Sequence, residues 1–184
     1  MSDRTREKKA LLEKIPCQNK IAMLSRLLLA WDGQWFLKTV QAIGLDKAIE
    51  QNARVRTSFA RIEMREFLRE LGLKRAENLE QAVAIMEAYS ELFGGNRIRA
   101  DLNVKNAQHL EISVWRCPAV EGAMKAGLAR TDQPCVACER LWPTWLSVLL
   151  PDFQWTCQIP EAIGRGAKAC RILVDGKEKS RVAE

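Results

Sequence analysis

The stretch of sequence that decides the fold is residues 94–104, which reads Gly-Gly-Asn-Arg-Ile-Arg-Ala-Asp-Leu-Asn-Val. Before it, apolar residues recur every three or four positions, which is the spacing of one face of an α-helix. The glycine pair ends that pattern, and apolar and polar residues then alternate, as they do in a half-buried β-strand. The sequence therefore predicts a helical first part and a sheet-containing second part that meet near residue 95.

Before this stretch, the apolar spacing predicts one short helix and three long ones. Pro16 and Gly44 are natural stops for the first two, and Asp46 and Asn78 can cap the next two. The four predicted spans are residues 4–15, 19–43, 46–71 and 79–93.

After the stretch, the sequence predicts two strands that form a hairpin, two helices and two further strands. These spans are 97–104, 110–114, 118–129, 134–149, 153–159 and 169–174, with the second helix interrupted at Pro143. The order predicts an α+β fold, in which an N-terminal helical bundle packs on an antiparallel sheet of about four strands with two crossover helices. We divide the chain into a helical half (1–95), a cysteine-rich α/β half (96–176) and a disordered tail (177–184).

Composition limits the possible classes of protein. With 184 residues, 47% of them apolar, the chain is long enough to bury a core without a metal to staple it. The net charge of +6 is shared about evenly between the two halves, so it is weak support for nucleic-acid binding. Neither a signal peptide nor a membrane-spanning stretch is found in the sequence, and we expect a cytoplasmic protein.

Five of the six cysteines fall within 54 residues, and this is the strongest chemical signal in the sequence. They are Cys117, Cys135, Cys138, Cys157 and Cys170. A reducing cytosol disfavours disulfides, so the cluster favours a tetrathiolate site for zinc or an iron–sulfur cluster. Buried free thiols and redox or nucleophilic chemistry remain open as alternatives. Cys17 stands apart, and we interpret it as a small apolar residue.

The first long helix contains a motif that points to a second site. Trp31 and Trp35 fall on one helix face, either as core residues or as part of a ligand site. Between them, Asp32 places an acid in an apolar helix, and Gly33 costs about 1 kcal/mol relative to alanine. We expect close helix packing or ligand access to compensate that cost, and we expect Asp32 to face a neighbouring helix or a pocket with its carboxylate paired.

The second long helix carries a line of arginines, namely Arg54, Arg61, Arg65 and Arg69. Such a line is usually a solvated face, but it can also form one wall of an anion site. In the second case Arg61 or Arg65 holds a carboxylate, in a pocket shared with Asp32, Trp35 or Glu63.

Two groups of residues resemble known families. Residues 31–37, Gly44, residues 48–50 and residues 61–63 resemble a family of uncharacterised bacterial and archaeal proteins. Cys117, residues 135–139, Pro151 and residues 166–170 resemble the L-2-amino-thiazoline-4-carboxylic acid hydrolase-like proteins. This resemblance implies a small-molecule site between the helical half and the sheet, hydrolysis of a cyclic amidine or amide, and cysteines close to the site.

Three functions follow from these patterns. The first is a cytosolic protein that binds a metal or iron–sulfur cluster through its cysteines and a small molecule in its helical half. Its small-molecule ligand, which can carry a carboxylate, is expected to contact Trp31, Asp32, Trp35, Arg61, Glu63 and Arg65. The second is a hydrolase, and the third is a ligand-sensing or accessory module without chemistry. Whether the protein is an enzyme, and its oligomeric state, are left open.

Overall fold

The structure is a computed structural model, which describes residues 3–179. Over this range it has six α-helices and four β-strands. Four helices come first, and the strands follow as two pairs, with the other two helices between the pairs. The helices are α1 (Asp3–Glu13), α2 (Cys17–Ile43), α3 (Leu45–Glu70), α4 (Leu79–Gly94), α5 (Pro118–Lys125) and α6 (Gln133–Leu149). The strands are β1 (Arg99–Asn106), β2 (His109–Arg116), β3 (Phe153–Glu161) and β4 (Cys170–Glu178). The predicted α+β class is confirmed.

Local sequence explains where the long helices begin and end. Gly44 separates α2 from α3 with a φ of 81°, a value that a residue with a side chain rarely adopts. Asn78 caps α4, because its side-chain oxygen accepts a hydrogen bond of 2.9 Å from the backbone N–H of Gln81.

The four strands form one antiparallel sheet in the order β1-β2-β4-β3. The predicted hairpin of β1 and β2 is confirmed, with Leu102 opposite Ile112. On its other side, Ile112 lies opposite Ile172 of β4. Every second residue of β2 is buried, so one face of the sheet is turned to the core.

The main core lies between that face of the sheet and the helices α3, α4 and α6. It joins side chains from both halves of the chain, including Met64, Leu68, Met86, Leu110, Ile112, Leu146, Leu149 and Val174. Helix α6 lies between α3 and β3 and makes contacts with both. The arginine-bearing helix α3 is therefore packed along α6, which positions the site described below.

Several elements differ from their predicted spans, and three of these differences are described here. Helix α6 continues through Pro143, because the buried tryptophans Trp142 and Trp145 hold the turns on either side of the missing N–H. Helix α5 ends earlier than residue 129, before the left-handed turn at Gly127 (φ 63°). Strand β4 extends to Glu178, so the first residues of the predicted tail are ordered; residues 180–184 lie outside the described range.

Among residues 3–179, no helix combines the length and the apolar content that crossing a bilayer requires.

Candidate functional site

A groove of about 580 Å³ runs between α3 and α6, and two of the predicted site residues line it. Arg61 and Arg65 lie four residues apart on α3, so they occupy adjacent turns on the same side of the helix. The other lining residues are Leu68, Arg69, Leu73, Lys74, Pro143, Thr144, Ser147, Val148 and Pro151. No acidic side chain is among them.

The groove carries uncompensated positive charge. Arg69 is neutralised by ion pairs with Glu66 and Glu70. Among residues 3–179, in contrast, Arg61, Arg65 and Lys74 have neither an ion pair nor a side-chain hydrogen bond. Three cations thus face a groove whose volume lies in the range of small-molecule sites.

The rest of the groove lining is apolar, or its polar groups already have hydrogen-bond partners. Leu68 is buried, and Val148 and Pro143 of α6 form the opposite wall. The two hydroxyl groups in the lining donate to backbone carbonyls of α6, from Thr144 to Arg140 at 2.6 Å and from Ser147 to Pro143 at 2.7 Å. The free polar groups of the groove are therefore its cations.

The prediction that the arginines share a pocket with Asp32, Trp35 or Glu63 is wrong, because none of the three lines this groove. The reason is helical geometry. Glu63 follows Arg61 by two residues, which turns its side chain about 200° around the helix axis. The side chains of Arg61 and Arg65 consequently line the groove beside α6, while the side chain of Glu63 points into the protein interior.

Glu63 is instead a buried anchor between three helices. It is 5% exposed, and its carboxylate accepts hydrogen bonds from the hydroxyl of Tyr89 (2.8 Å) and the indole N–H of Trp145 (3.0 Å). The guanidinium of Arg56, two turns earlier on α3, lies 3.4 Å away. The Tyr89 and Trp145 rings also pack edge to face. Both carboxylate oxygens are thereby occupied, as a buried charge requires.

Asp32 lies on the exposed part of α2, and its carboxylate is not paired, so the expected pairing is wrong. Among the described residues it has no hydrogen bond or ion pair. Partial desolvation of its carboxyl group raises the pKa, the positive charge of Arg56 opposes this rise, and the negative charge of Glu63 adds to it. Asp32 therefore senses the charges of the Glu63 network without joining its hydrogen bonds.

The two tryptophans of α2 lie on the outer surface. Trp31 is 65% exposed and Trp35 is 61% exposed, so their interpretation as core residues is wrong. Their rings stack on each other at 6.2 Å. A side chain added at Gly33 would meet no atom within 4 Å, so close helix packing does not explain this glycine. Their predicted contact with a ligand stays a prediction.

The five cysteines of the cluster, Cys117, Cys135, Cys138, Cys157 and Cys170, all lie in the main core or pack against it. Cys117 follows β2 and directly precedes α5, Cys135 and Cys138 lie in the first turns of α6, and Cys170 begins β4. The Cys138 thiol interacts electrostatically with the other three and with Cys157. Cys157 itself lines a separate shallow groove near Glu139.

Burial determines the chemistry of these thiols. It raises the pKa of Cys117, and it raises the pKa of Cys135 to about 11 and that of Cys157 to about 12. The neighbouring Cys170 adds to the rise at Cys135. Burial also raises the pKa of Cys138. All are protonated at neutral pH in the free protein, and a thiol is a weak nucleophile in that form.

The predicted metal site stays a prediction. Within residues 3–179, no group of three or more histidine, cysteine, aspartate or glutamate side chains is arranged to hold an ion, and all six cysteines are free. The residues that fit a zinc or iron–sulfur site by chemistry are the soft sulfur donors of Cys117, Cys135, Cys138 and Cys170.

The sequence analysis did not identify several residues of the groove and of the hydrogen-bond network around Glu63. Arg56 precedes Glu63 by seven residues, a two-turn spacing that could have identified the pair. Lys74 and the α6 wall could not be found this way, because they reach the groove only through the packing of α6 on α3.

Comparison with known proteins gives information on the fold. No protein-family model matches the sequence, and no curated protein matches it. Among solved structures, a trafficking protein particle complex subunit 3 from Naegleria fowleri, covalently bound to palmitic acid, has a TM-score of 0.56 at 15% identity; the match covers 87% of this chain and 99% of that one. The phenol-responsive sensory domain of the transcription activator PoxR, with phenol, has a TM-score of 0.45 at 16% identity over 78% and 72% of the two chains. At this identity, the likeness to the trafficking subunit shows a shared fold.

Proposed function

We propose that this chain is a small-molecule-binding module that holds an amphipathic carboxylate in the groove between α3 and α6. The observation that carries the proposal is the pair Arg61 and Arg65, which face one groove and lack acidic partners among residues 3–179. A module of this kind binds or senses its ligand without transforming it.

The charge of the groove selects the ligand's head group. A guanidinium is planar and presents two parallel N–H donors to a carboxylate, and two arginines one turn apart can bind both of its oxygens. Lys74 adds a third positive charge at the same groove. A neutral head group would leave these cations unpaired and would gain no such contact.

The apolar floor selects the rest of the ligand. Leu68, Val148 and the prolines of the groove offer a surface for an alkyl or aromatic body. Each methylene group buried there contributes about 0.8 kcal/mol. An acid with an apolar tail therefore uses both parts of the groove. The trafficking subunit that shares this fold is covalently bound to palmitic acid, whose alkyl chain is an apolar body of this kind.

The raised pKa values of the thiols support binding rather than cysteine catalysis. A nucleophilic cysteine needs a lowered pKa, but burial shifts Cys117, Cys135, Cys138 and Cys157 in the opposite direction. These four thiols are therefore not activated as nucleophiles.

Calorimetric titration with decanoate tests the proposal. We expect Arg65→Ala to weaken decanoate binding more than tenfold, because it removes one of two charged contacts. Arg54→Ala is the matched control, since Arg54 lies on the same helix but pairs with Glu50 and does not line the groove. Decanol, which has the same tail without the charge, should bind more weakly than decanoate. Equal decanoate affinity in the wild type and Arg65→Ala would refute the proposal.

A second candidate function is metal binding by the cysteine thiols. It is favoured by their common placement, because Cys117, Cys135, Cys138 and Cys170 all lie in the main core or pack against it. Elemental analysis and a visible spectrum of anaerobically purified protein test it. One zinc per chain, or charge-transfer absorption from a cluster, should disappear in Cys138→Ser and persist in Cys17→Ser. Metal-free wild-type protein that also fails to bind added zinc or iron would exclude this candidate.

A further inference from the structure

One side of α2 presents a regular row of exposed apolar side chains, which we call the α2 seam: Ile21, Leu24, Leu28, Trp31 and Trp35. Successive members are three, four, three and four residues apart. This alternation is the heptad spacing of a helix that packs lengthwise against another helix. We propose that two copies of this chain associate through their α2 seams.

The seam is separate from the face that α2 turns to its own chain. Phe36 is the buried residue of α2, and Ser25 is held inward by a hydrogen bond to the Phe93 carbonyl and by one from Arg97 at 2.9 Å. Phe36 and Ser25 point to α3 and α4, roughly a quarter to a third of a turn around the helix from the seam. Within residues 3–179, no other element covers the seam residues.

The size of the seam matches what a stable dimer needs. Its five side chains and the adjacent Leu27 expose roughly 700 Å² per copy, given the area that large apolar side chains can bury. A standard protein interface buries about 800 Å² on each partner. The seam extends over 15 residues from Ile21 to Trp35, which is about 21 Å of helix.

The short helix α1 also lacks cover. From Thr5 to Glu13 every side chain is exposed, including Leu11 and Leu12. A helix of 11 residues is marginal in water without packing. Only residues 14–16 separate α1 from α2, so a second copy seated on the α2 seam can also cover α1.

A second copy fits the seam better than a membrane does. A seam with heptad spacing is complementary to itself, so a two-fold axis pairs it without any other protein. Helices that lie on membranes flank their apolar face with lysine and arginine. The α2 seam is flanked instead by Asp32 and Gln34, with Lys20 and Lys38 only at its ends.

Sedimentation velocity on the full chain tests the proposal. We expect the wild type at about 50 μM to sediment mainly with twice the 20.9 kDa monomer mass. Leu24→Glu should raise the dimer dissociation constant at least tenfold, because it places two carboxylates in the paired seam. Leu24 is 62% exposed, so this change leaves the fold of the single chain intact; circular dichroism verifies that. Trp31→Glu serves as a second seam variant.

Leu92→Glu is the matched control, since Leu92 is 50% exposed on α4 and is not part of the seam. It should keep the wild-type dissociation constant. A monomeric wild type, a Leu24→Glu variant that dimerises normally, or an equal loss of association in Leu92→Glu would each overturn the proposal. Binding of the monomer to lipid vesicles through Leu24 would do the same, because it would assign the seam to a membrane.

Discussion

Replacing Glu63 with alanine tests whether its buried network holds the helices together. The change removes the acceptor of two hydrogen bonds, from Tyr89 at 2.8 Å and Trp145 at 3.0 Å, and leaves both donors without a partner. It also leaves Arg56, whose side chain is only 20% exposed, without its counter-charge. Breaking a buried charge pair costs about 3–5 kcal/mol. Because Arg56 retains some contact with water, we expect the lower end, about 3 kcal/mol.

Urea denaturation followed by circular dichroism and tryptophan fluorescence measures this loss in the free energy of unfolding. Glu66→Ala is the control, since Glu66 lies on the same helix but pairs with Arg69 on the surface; it should cost less than about 0.5 kcal/mol. A double-mutant cycle with Tyr89→Phe should show a coupling energy of about 1 kcal/mol. A loss below about 1 kcal/mol for Glu63→Ala would mean that the network is not an anchor.

Three further predictions concern single residues. Gly33→Ala should raise the free energy of unfolding by about 0.5–1 kcal/mol, because the new methyl group meets no atom within 4 Å; destabilisation in thermal or urea unfolding would show an unrecognised packing role. Asp32 binds its proton more tightly in the native state than in the unfolded chain, so its ionisation destabilises the protein as pH rises through the raised pKa. Asp32→Asn should therefore melt about 1 °C higher than the wild type at pH 7, with the difference vanishing as pH falls towards 3.8; a lower melting temperature at pH 7 would contradict this. With a pKa of about 11, Cys135 is ionised in about one molecule in a thousand at pH 8, so iodoacetamide should modify the exposed Cys17 at least tenfold faster in metal-free protein; mass spectrometry of digests measures both rates, and equal rates would contradict the burial of Cys135.

The fold could be predicted from the sequence because, over most of the chain, local residue preferences agree with the packing in the structure. The glycine pair before β1, the alternation in β2 and the caps at Gly44 and Asn78 each act over a few residues. Pro143 was the exception. Its local preference to end a helix is outweighed by the packing of Trp142 and Trp145, which no local pattern records.

The candidate site was only partly accessible. The regular spacing of Arg61 and Arg65 on one helix face could be read from the sequence. Sequence periodicity does not show, however, which other element packs against that face. The packing of α6 on α3 decides that the arginines meet Pro143 and Val148 rather than Asp32. Periodicity likewise could not distinguish an apolar face that packs inside the chain from one left open, as at Trp31.

The most direct test of the central claim is to locate a bound carboxylate. Methyl-labelled protein titrated with decanoate should show chemical-shift changes concentrated at Leu68, Leu73 and Val148, which line the groove between α3 and α6. The methyl groups of Leu24 and Leu28, on the α2 seam, should keep their shifts. Changes confined to α2 or to the sheet, with Leu68 and Val148 unaffected, would contradict the assignment of the binding site to this groove.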